Sequence, residues 1–367
     1  MSLRWQQALQ RAWWHPGESA WSLALRPLSW LVRAVVAGRT WRQSRPDAQA
    51  RLVEQRRAAG LDACPILVVG NLIVGGAGKT PTTLALIRWL QTQGWHPGVV
   101  SRGYGRRGTG LCDVGPTTPA TECGDEPLLL HRRSGVPVCV NADRLAAAQR
   151  LRELHPDVNV IVADDGLQHT RLPRDAQLIV FDARGIGNGH VLPAGPLRQP
   201  WPDTPPARSL VIYNADAPST PWPGHLARRR LAGVVALDTW SSSQRQPPQA
   251  DTLHALQTRS RTHPVLAAAG LAEPERFFTM LERQWGLHIV RHPLPDHADL
   301  SALTWPDGVD DVIVTEKDAV KLMAMASTPG PRIWVAPLDF ELPDAVSAQL
   351  ADWLMPWHPP SSRSAAP

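Results

Sequence analysis

Apolar residues along this chain fall into two recurring patterns. Short apolar runs rich in β-branched residues, bounded by Gly, Pro, Asn or Asp, predict buried strands over Pro65–Val69, Gly98–Ser101, Val136–Val140, Val158–Ala163, Leu178–Phe181 and Leu210–Tyr213. Between them, apolar positions at helical spacing predict helices over Thr82–Gln93 and Asp143–Leu154. Strands alternating with helices argue for an α/β fold with a mainly parallel sheet covered by helices. Further on, Gly233–Leu237, Val265–Ala269, Val312–Thr315 and Ile333–Ala336 predict a second, smaller α/β domain. Proline-rich connectors occupy Pro200–Pro206 and Pro218–Gly224, and the boundary is placed near the second. The expected organisation is residues 1–57 as a basic amphipathic segment, 58–224 as a P-loop nucleotide-binding domain and 225–367 as the smaller domain. Arg106–Thr121 reads as a mobile or substrate-facing loop, Thr239–Arg259 as an exposed insertion, and Pro356–Pro367 as a fraying Pro/Ser/Ala tail.

The N-terminal segment alternates Trp, Leu and Arg. Its most apolar stretch, Trp21–Gly38, is interrupted by Arg26, Pro27 and Arg33, whereas a membrane-spanning helix needs roughly 20 apolar residues. No span is expected. Leu28, Leu31, Val32 and Val35 fall on one helical face, with Trp30 near them and Arg33, Arg39 and Arg42 placed for lipid headgroups. That pattern suits a helix lying in an anionic membrane surface, and it also suits a helix packed on the protein's own core. Charge sharpens the choice of partners. The chain carries a formal net charge of +5, and its first 57 residues hold ten Arg against three acids, so the basic excess is local. Cys64, Cys112, Cys123 and Cys139 lack C-x-x-C spacing, which argues against disulfides or a zinc site. Arg residues scattered through and after the apolar stretch argue against a secretory signal.

Candidate chemistry begins where the first strand ends. Ile73-Val74-Gly75-Gly76-Ala77-Gly78-Lys79-Thr80 is a glycine-rich loop opening a helix, the context of a phosphate cradle. In that reading Lys79 reaches the β/γ-phosphates of ATP and the Thr80 hydroxyl takes a place on Mg²⁺. The full G-x-x-x-x-G-K-[ST] pattern asks for Gly at position 73, where this chain has Ile73. The strand Val158–Ala163 delivers Asp164-Asp165-Gly166 at its C-terminal end, where a P-loop enzyme places a carboxylate for Mg²⁺. Adjacent Asp side chains diverge, so one of Asp164 and Asp165 is expected on the metal. A second acidic pair, Asp125-Glu126, follows Gly124, and Asp125 could accept the proton of an acceptor hydroxyl. Asp296-His297 could form an acid/base or orienting pair brought in by domain closure. Thr315-Glu-Lys-Asp318 resembles the guanine-reading [NT]-K-x-D but is out of register by one, so it does not support GTP.

Taken together and in order, these blocks resemble the tetraacyldisaccharide 4′-kinase family, the lipid A 4′-kinases of Gram-negative bacteria. The residues that carry the resemblance are Val69-Gly-Asn-Leu72, Gly75–Pro81, Val100-Ser-Arg-Gly-Tyr-Gly105, Gly124-Asp-Glu-Pro127, Asp164-Asp-Gly-Leu-Gln-His169 and Arg171–Asp175. They continue with Gly187-Asn-Gly189, Leu192–Arg198, Asp296-His297 and Thr315–Lys321. The family's loop is not a strict P-loop, which accommodates Ile73. The resemblance implies transfer of the ATP γ-phosphate to the 4′-hydroxyl of a lipid A disaccharide 1-phosphate at the cytoplasmic face of the inner membrane. It implies Lys79 and Thr80 for nucleotide and Mg²⁺, Asp125 as catalytic base assisted by His297, and Asp164, Asp165 and Glu126 near the metal. Arg102, Tyr104, Gln168, His169, Arg171 and Arg198 stand in family blocks and are assigned to the phosphorylated sugar. The partners implied are the lipid A disaccharide precursor and an anionic membrane surface, with no nucleic acid and no stable protein partner. The protein would be peripheral or monotopic.

Two rivals stay open on residues alone. A P-loop ATPase switch of the partition, targeting or metal-delivery type also uses a Gly-Gly-x-Gly-Lys-Thr loop. Its signature lysine just before the paired glycines is missing, since Val74 stands there. A kinase for a soluble sugar or nucleoside would leave the amphipathic segment unexplained.

Overall fold

A computed structural model of the chain describes residues 3–15, 17, 19–242, 250–296, 300, 303–323 and 330–357. Contacts divide the chain into two units: Met1–Ser101, Asp143–Ala227 and Leu342–Pro367 form the first, and Arg102–Ala142 and Arg228–Glu341 the second. The grouping differs from a simple cut at the proline-rich connectors. Residues 102–142 are grouped with the later part of the chain, and the C-terminal helix Asp344–Leu354 with the earlier part.

In the first unit six parallel strands run in the order Pro97–Ser101, Val160–Asp164, Ile66–Gly70, Ala176–Asp182, Ser209–Asn214 and His225–Leu226. The central strands are buried along their whole length, which is why their sequences are apolar runs without alternation. The helix Lys79–Thr92 packs on the strands Ile66–Gly70, Val160–Asp164 and Pro97–Ser101, burying Thr82, Thr83, Leu86, Ile87 and Leu90. Register then decides what lies beside the loop. Val69 pairs with Asp164, so the strand that launches the loop and the strand that carries Asp164 end side by side. At Gly70 an added Cβ would sit 2.6 Å from the Leu167 side chain, so the strand must end on glycine for the segment after Asp165 to close over it.

The N-terminal region is helical: Leu3–Trp14, Ala20–Ser44 and Pro46–Ala58. Pro27 sits inside the second helix without ending it, contrary to the expectation that it would break the run. This helix turns a serine stripe inward. Ser22 and Ser29, two turns apart, are buried; Ser22 Oγ donates to Ala194 O at 3.0 Å and Ser29 Oγ to Val191 O at 2.8 Å. Ser29 Oγ also accepts from the Ala194 amide at 3.0 Å. Leu28, Leu31 and Val35 are 50%, 64% and 53% exposed, so the apolar face predicted by periodicity points away from the first unit's own core. Among the described residues no helix is long and apolar enough to cross a membrane.

The second unit has its own sheet, ordered Val235–Ala236, Arg332–Ala336, Asp311–Thr315, Val265–Ala269 and Ile289–Pro293, parallel except for the first strand. Apolar clusters cover both faces, one built on Phe277, Phe278, Leu281 and Trp285, the other on Leu266, Val312, Ala319 and Leu322. Two sequence expectations change here. The stretch expected as an exposed insertion contains the helix Ala250–Ser260, which buries Leu256 completely in the first cluster. Residues 243–249 of that stretch lie outside the described residues. The expected loop Arg106–Thr121 contains the strand Cys112–Val114, paired antiparallel with Val138–Val140, and the start of a short helix, Ala120–Cys123. The four cysteines are free thiols. Beyond Trp357 the expected tail also lies outside the described residues.

Candidate active site

The phosphate loop is held from behind by groups that occupy its carbonyls. Asn71, fully buried at the end of the first strand, donates to Gly75 O at 3.2 Å, Asn214 donates to Ala77 O at 3.2 Å, and Arg184 Nη2 donates to Gly76 O at 3.1 Å. Gly75 and Gly78 adopt φ of +88° and +93°, conformations that side-chain-bearing residues rarely take. Ile73 has a structural reason in place of the motif's first glycine. It is fully buried and forms an antiparallel bridge with Leu197, so this half of the loop is a strand edge and not a turn. Val74 N donates to Pro196 O at 2.9 Å, and Arg198 N to Leu72 O at 2.8 Å. The amide of Val74 thus fixes the loop against the 190–198 segment.

Lys79 opens the helix with only 9% of its surface exposed. Its Nζ donates to Asn71 Oδ1 at 3.4 Å and lies 3.7 Å from Asp165 Oδ1. Thr80 follows in the first turn of the same helix. Asp164 is almost completely buried and accepts from Thr83 Oγ1 at 2.9 Å. Asp165 follows with φ of +50°, a left-handed bend that sends it away from its neighbour. There it meets Arg198 Nη1 at 2.9 and 3.1 Å. Burial would raise the pKa of Asp165, but Lys79, Arg198 and Arg144 outweigh it and hold the carboxyl below the usual range. The two carboxylates therefore diverge as the sequence reading expected.

Around this centre Gln168 bridges two elements, donating to Asn71 O at 3.0 Å and accepting from Arg198 Nη1 at 3.2 Å. His169 is held neutral near pH 7: burial lowers its pKa first, and Arg144 adds to the effect. Arg171 is exposed and pairs with Asp143 at 3.4 Å, while Asp143 caps the helix Arg144–Leu154 through the Leu145 amide at 3.0 Å. Arg184 connects the loop to its surroundings. It pairs with fully buried Asp182 and lies over the Trp14 ring at 4.3 Å.

The second unit carries the other acidic pair. Gly124, at φ of +97°, leads into the helix Asp125–Ser134. Asp125 is 7% exposed, its Oδ1 accepts from the Glu126 amide at 2.9 Å, and its Oδ2 lies 3.6 Å from Lys321 Nζ. Lys317 Nζ lies 3.3 Å from Glu126 Oε1 and donates to Asp296 Oδ1 at 2.9 Å. Burial would lower the pKa of Lys317, but Glu126, Asp296 and Asp125 outweigh it and raise it, so the ammonium persists through the neutral range. Arg102 and Tyr104 belong to this unit and are exposed. His297, expected as the partner of Asp296, lies outside the described residues.

Of the residues expected at the site, Lys79, Asp165, Gln168 and Arg198 are linked to one another and to Asn71 in the first unit, and Asp164 is bonded to Thr83 of the lysine-bearing helix; Asp125, Glu126, Asp296, Arg102 and Tyr104 belong to the second unit. Sequence reasoning missed the roles of Asn71, Thr83, Asn214 and Arg184. Thr83 had a usable signal, standing one helical turn after Lys79 on the face that meets the neighbouring strand. Asn71 and Asn214 are single polar residues at strand ends, which sequence alone does not distinguish from turn formers. Among the described residues no group of three or more His, Cys, Asp or Glu forms a ready-made metal cage. The oxygen donors near the loop, Thr80, Asp164 and Asp165, nonetheless suit Mg²⁺, which takes one or two carboxylates and completes its shell with water and phosphate.

Comparison with known proteins identifies the family of the chain. The family model described as tetraacyldisaccharide-1-P 4′-kinase matches residues 21–355. A tetraacyldisaccharide 4′-kinase of Methylibium petroleiphilum is 51% identical over 356 residues, covering 96% of this chain and 94% of the relative. One from Leptothrix cholodnii is 48% identical over 352 residues, covering 93% and 94%. The solved structure of LpxK from Aquifex aeolicus in complex with ATP superposes with a TM-score of 0.67 over 90% of this chain and 99% of that one, at 22% identity, a likeness of fold.

Proposed function

Since the chain belongs to the tetraacyldisaccharide-1-P 4′-kinase family, we propose that it transfers the γ-phosphate of ATP to the 4′-hydroxyl of a tetraacyldisaccharide 1-phosphate, a step of lipid A biosynthesis. The observation that carries the reading is the cluster at the loop: a buried lysine at a helix N-terminus beside two diverging carboxylates, one of them already paired with Lys79 and Arg198. Phosphoryl transfer asks little covalent work of a protein, so catalysis here is positioning and charge neutralisation.

In this reading the amides of Gly75 to Thr80 hold the triphosphate and Lys79 exchanges Asp165 for the β- and γ-phosphates when nucleotide enters. Thr80 and one of Asp164 and Asp165 would supply oxygen ligands for Mg²⁺, which would neutralise phosphate charge when bound. Asp125 accepts the proton of the 4′-hydroxyl, and Asp296 and His297 orient or assist it. Arg198, Gln168, His169, Arg171, Arg102 and Tyr104 are assigned to the phosphorylated sugar. His169, neutral by burial, can donate one hydrogen bond and accept another without adding charge.

The outward apolar face of Ala20–Ser44, with exposed Trp21, Trp30 and Trp41 and arginines at 33, 39 and 42, supports attachment to an anionic membrane surface. We assign that surface to the cytoplasmic face of the inner membrane, with the acyl chains of the substrate remaining in the bilayer. The test is incubation with Mg-ATP and a detergent-dispersed tetraacyldisaccharide 1-phosphate. A product bearing one more phosphate is expected; nucleotide hydrolysis with the lipid unchanged would favour the ATPase switch.

A further inference from the structure

The run Thr315-Glu-Lys-Asp318, which fits no nucleotide-reading motif in register, has a definite place in the second unit. Thr315 caps the helix Glu316–Leu322, its Oγ1 accepting from the Asp318 amide at 3.2 Å. Asp318 is completely buried, and its Oδ2 accepts from Thr315 Oγ1 at 2.7 Å and from the Gly270 amide at 3.0 Å. A Cβ on Gly270 would come within 2.6 Å of the other oxygen, Oδ1, so the opposing strand end is glycine where the carboxylate enters. Being buried, Asp318 has no face for a substrate. Its Oδ1 is 3.8 Å from Lys321 Nζ, and Lys321 Nζ is 3.6 Å from Asp125 Oδ2. Lys317, one helical turn earlier, stands between Glu126 and Asp296. Two lysines on one face of a helix thus meet the two adjacent carboxylates at the head of another.

We propose that Lys321 is a positioning residue for phosphoryl transfer: Asp318 anchors its ammonium, and the ammonium fixes the carboxylate of Asp125. The proposal rests on the reading of Asp125 as the base. A carboxylate in the first turn of a helix can rotate about χ2. Here one oxygen is tied to the Glu126 amide and the other faces Lys321, which fixes the plane of the group. A base held this way keeps a lone pair aimed in one direction, and misplacement of such a group by about 1 Å can cost two orders of magnitude in rate. If the Asp318–Lys321–Asp125 chain served packing alone, its loss would change stability while the folded fraction turned over normally.

The test compares Lys321→Met, Lys321→Arg, Asp318→Asn, Asp125→Ala and the double variant Asp125→Ala/Lys321→Met in the full chain, with folding checked by thermal unfolding. Lys321→Met is expected to lower kcat by about 10- to 100-fold while KM for ATP stays within about threefold, and Lys321→Arg to recover most of the loss. The double variant should be no slower than Asp125→Ala, because the lysine acts through that carboxylate. A kcat for folded Lys321→Met within about threefold of the parent, or losses that multiply in the double variant, would overturn the proposal. If Lys321→Met does not fold, Asp318→Asn decides: it keeps the shape of the anchor, removes its charge, and should lower kcat by about three- to tenfold without moving KM, whereas an unchanged kcat overturns the idea. Undiminished turnover in Asp125→Ala would instead remove the base reading itself, a result distinct from normal turnover in Lys321→Met beside an inactive Asp125→Ala.

Discussion

Gly78→Ala tests the architecture of the phosphate loop at its tightest point. Gly78 precedes the lysine-bearing helix at φ of +93°, and a left-handed conformation costs an L-residue about 1–2 kcal/mol. A Cβ there would also lie 2.1 Å from Asn214 Nδ2 and 2.8 Å from its Cγ. Asn214 cannot swing aside freely, because it is buried and donates to Ala77 O, the residue before the glycine. Overpacking of this kind adds about 1–3 kcal/mol. The expected destabilisation is therefore about 2–5 kcal/mol. The two contributions can be separated. In Asn214→Ala the offending atoms are gone and the remaining Cβ stands 3.4 Å away, an ordinary contact. The double variant Gly78→Ala/Asn214→Ala should then be more stable than the sum of the single effects by about 1–3 kcal/mol, while the backbone cost remains. Urea denaturation of the four proteins measures this directly. Strict additivity, or wild-type stability in Gly78→Ala, would refute the close approach of Asn214.

Two further outcomes follow from the first unit. His169 has a folded pKa below 6.5, so between that value and its folded pKa the unfolded chain binds more protons; its contribution to stability is complete above about pH 6.5 and is lost as pH falls. His169→Gln should flatten the decline in unfolding free energy as pH falls below about 6.5, and an unchanged slope would mean that another group carries it. Replacing Leu28, Leu31 and Val35 together by Asp should abolish sedimentation with anionic vesicles and shift the unfolding free energy by no more than about 0.5 kcal/mol per site, because all three are exposed. A large loss of stability would show that this face is packed within the protein.

Much of the architecture was legible because buried parallel strands write themselves as uninterrupted apolar runs. Val158–Ala163 and Pro65–Val69 were placed to within a residue of the strands Val160–Asp164 and Ile66–Gly70 at one end or the other. The pairing of Val69 with Asp164 was implicit in the expectation that a strand-end carboxylate faces the loop. Less legible were features that depend on what packs where. The expected exposed insertion, Thr239–Arg259, holds most of the helix Ala250–Ser260, in which Leu253, Leu256 and Ser260 line one face and Leu256 is sealed in the core. Pro27 suggested a break, yet the helix Ala20–Ser44 passes through it. The inward Ser22 and Ser29 were invisible to a hydrophobic-face argument, since here polar side chains bond to backbone carbonyls and the apolar ones turn outward. Grouping Arg102–Ala142 with the later part of the chain required contacts that no linker composition announces.

The proposed transfer needs a loop at Gly75–Thr80 to grip ATP and the Asp125 carboxylate to take the proton from the acceptor. The most direct test is a single-turnover experiment with γ-labelled ATP, saturating enzyme and tetraacyldisaccharide 1-phosphate, run for the parent and for Asp125→Ala. The parent should place the label on the 4′-oxygen of the lipid, and Asp125→Ala should do so at least about 100-fold more slowly with its Kd for ATP within about threefold. Label released as inorganic phosphate at the same rate with and without lipid, or equal single-turnover rates in the two proteins, would contradict it.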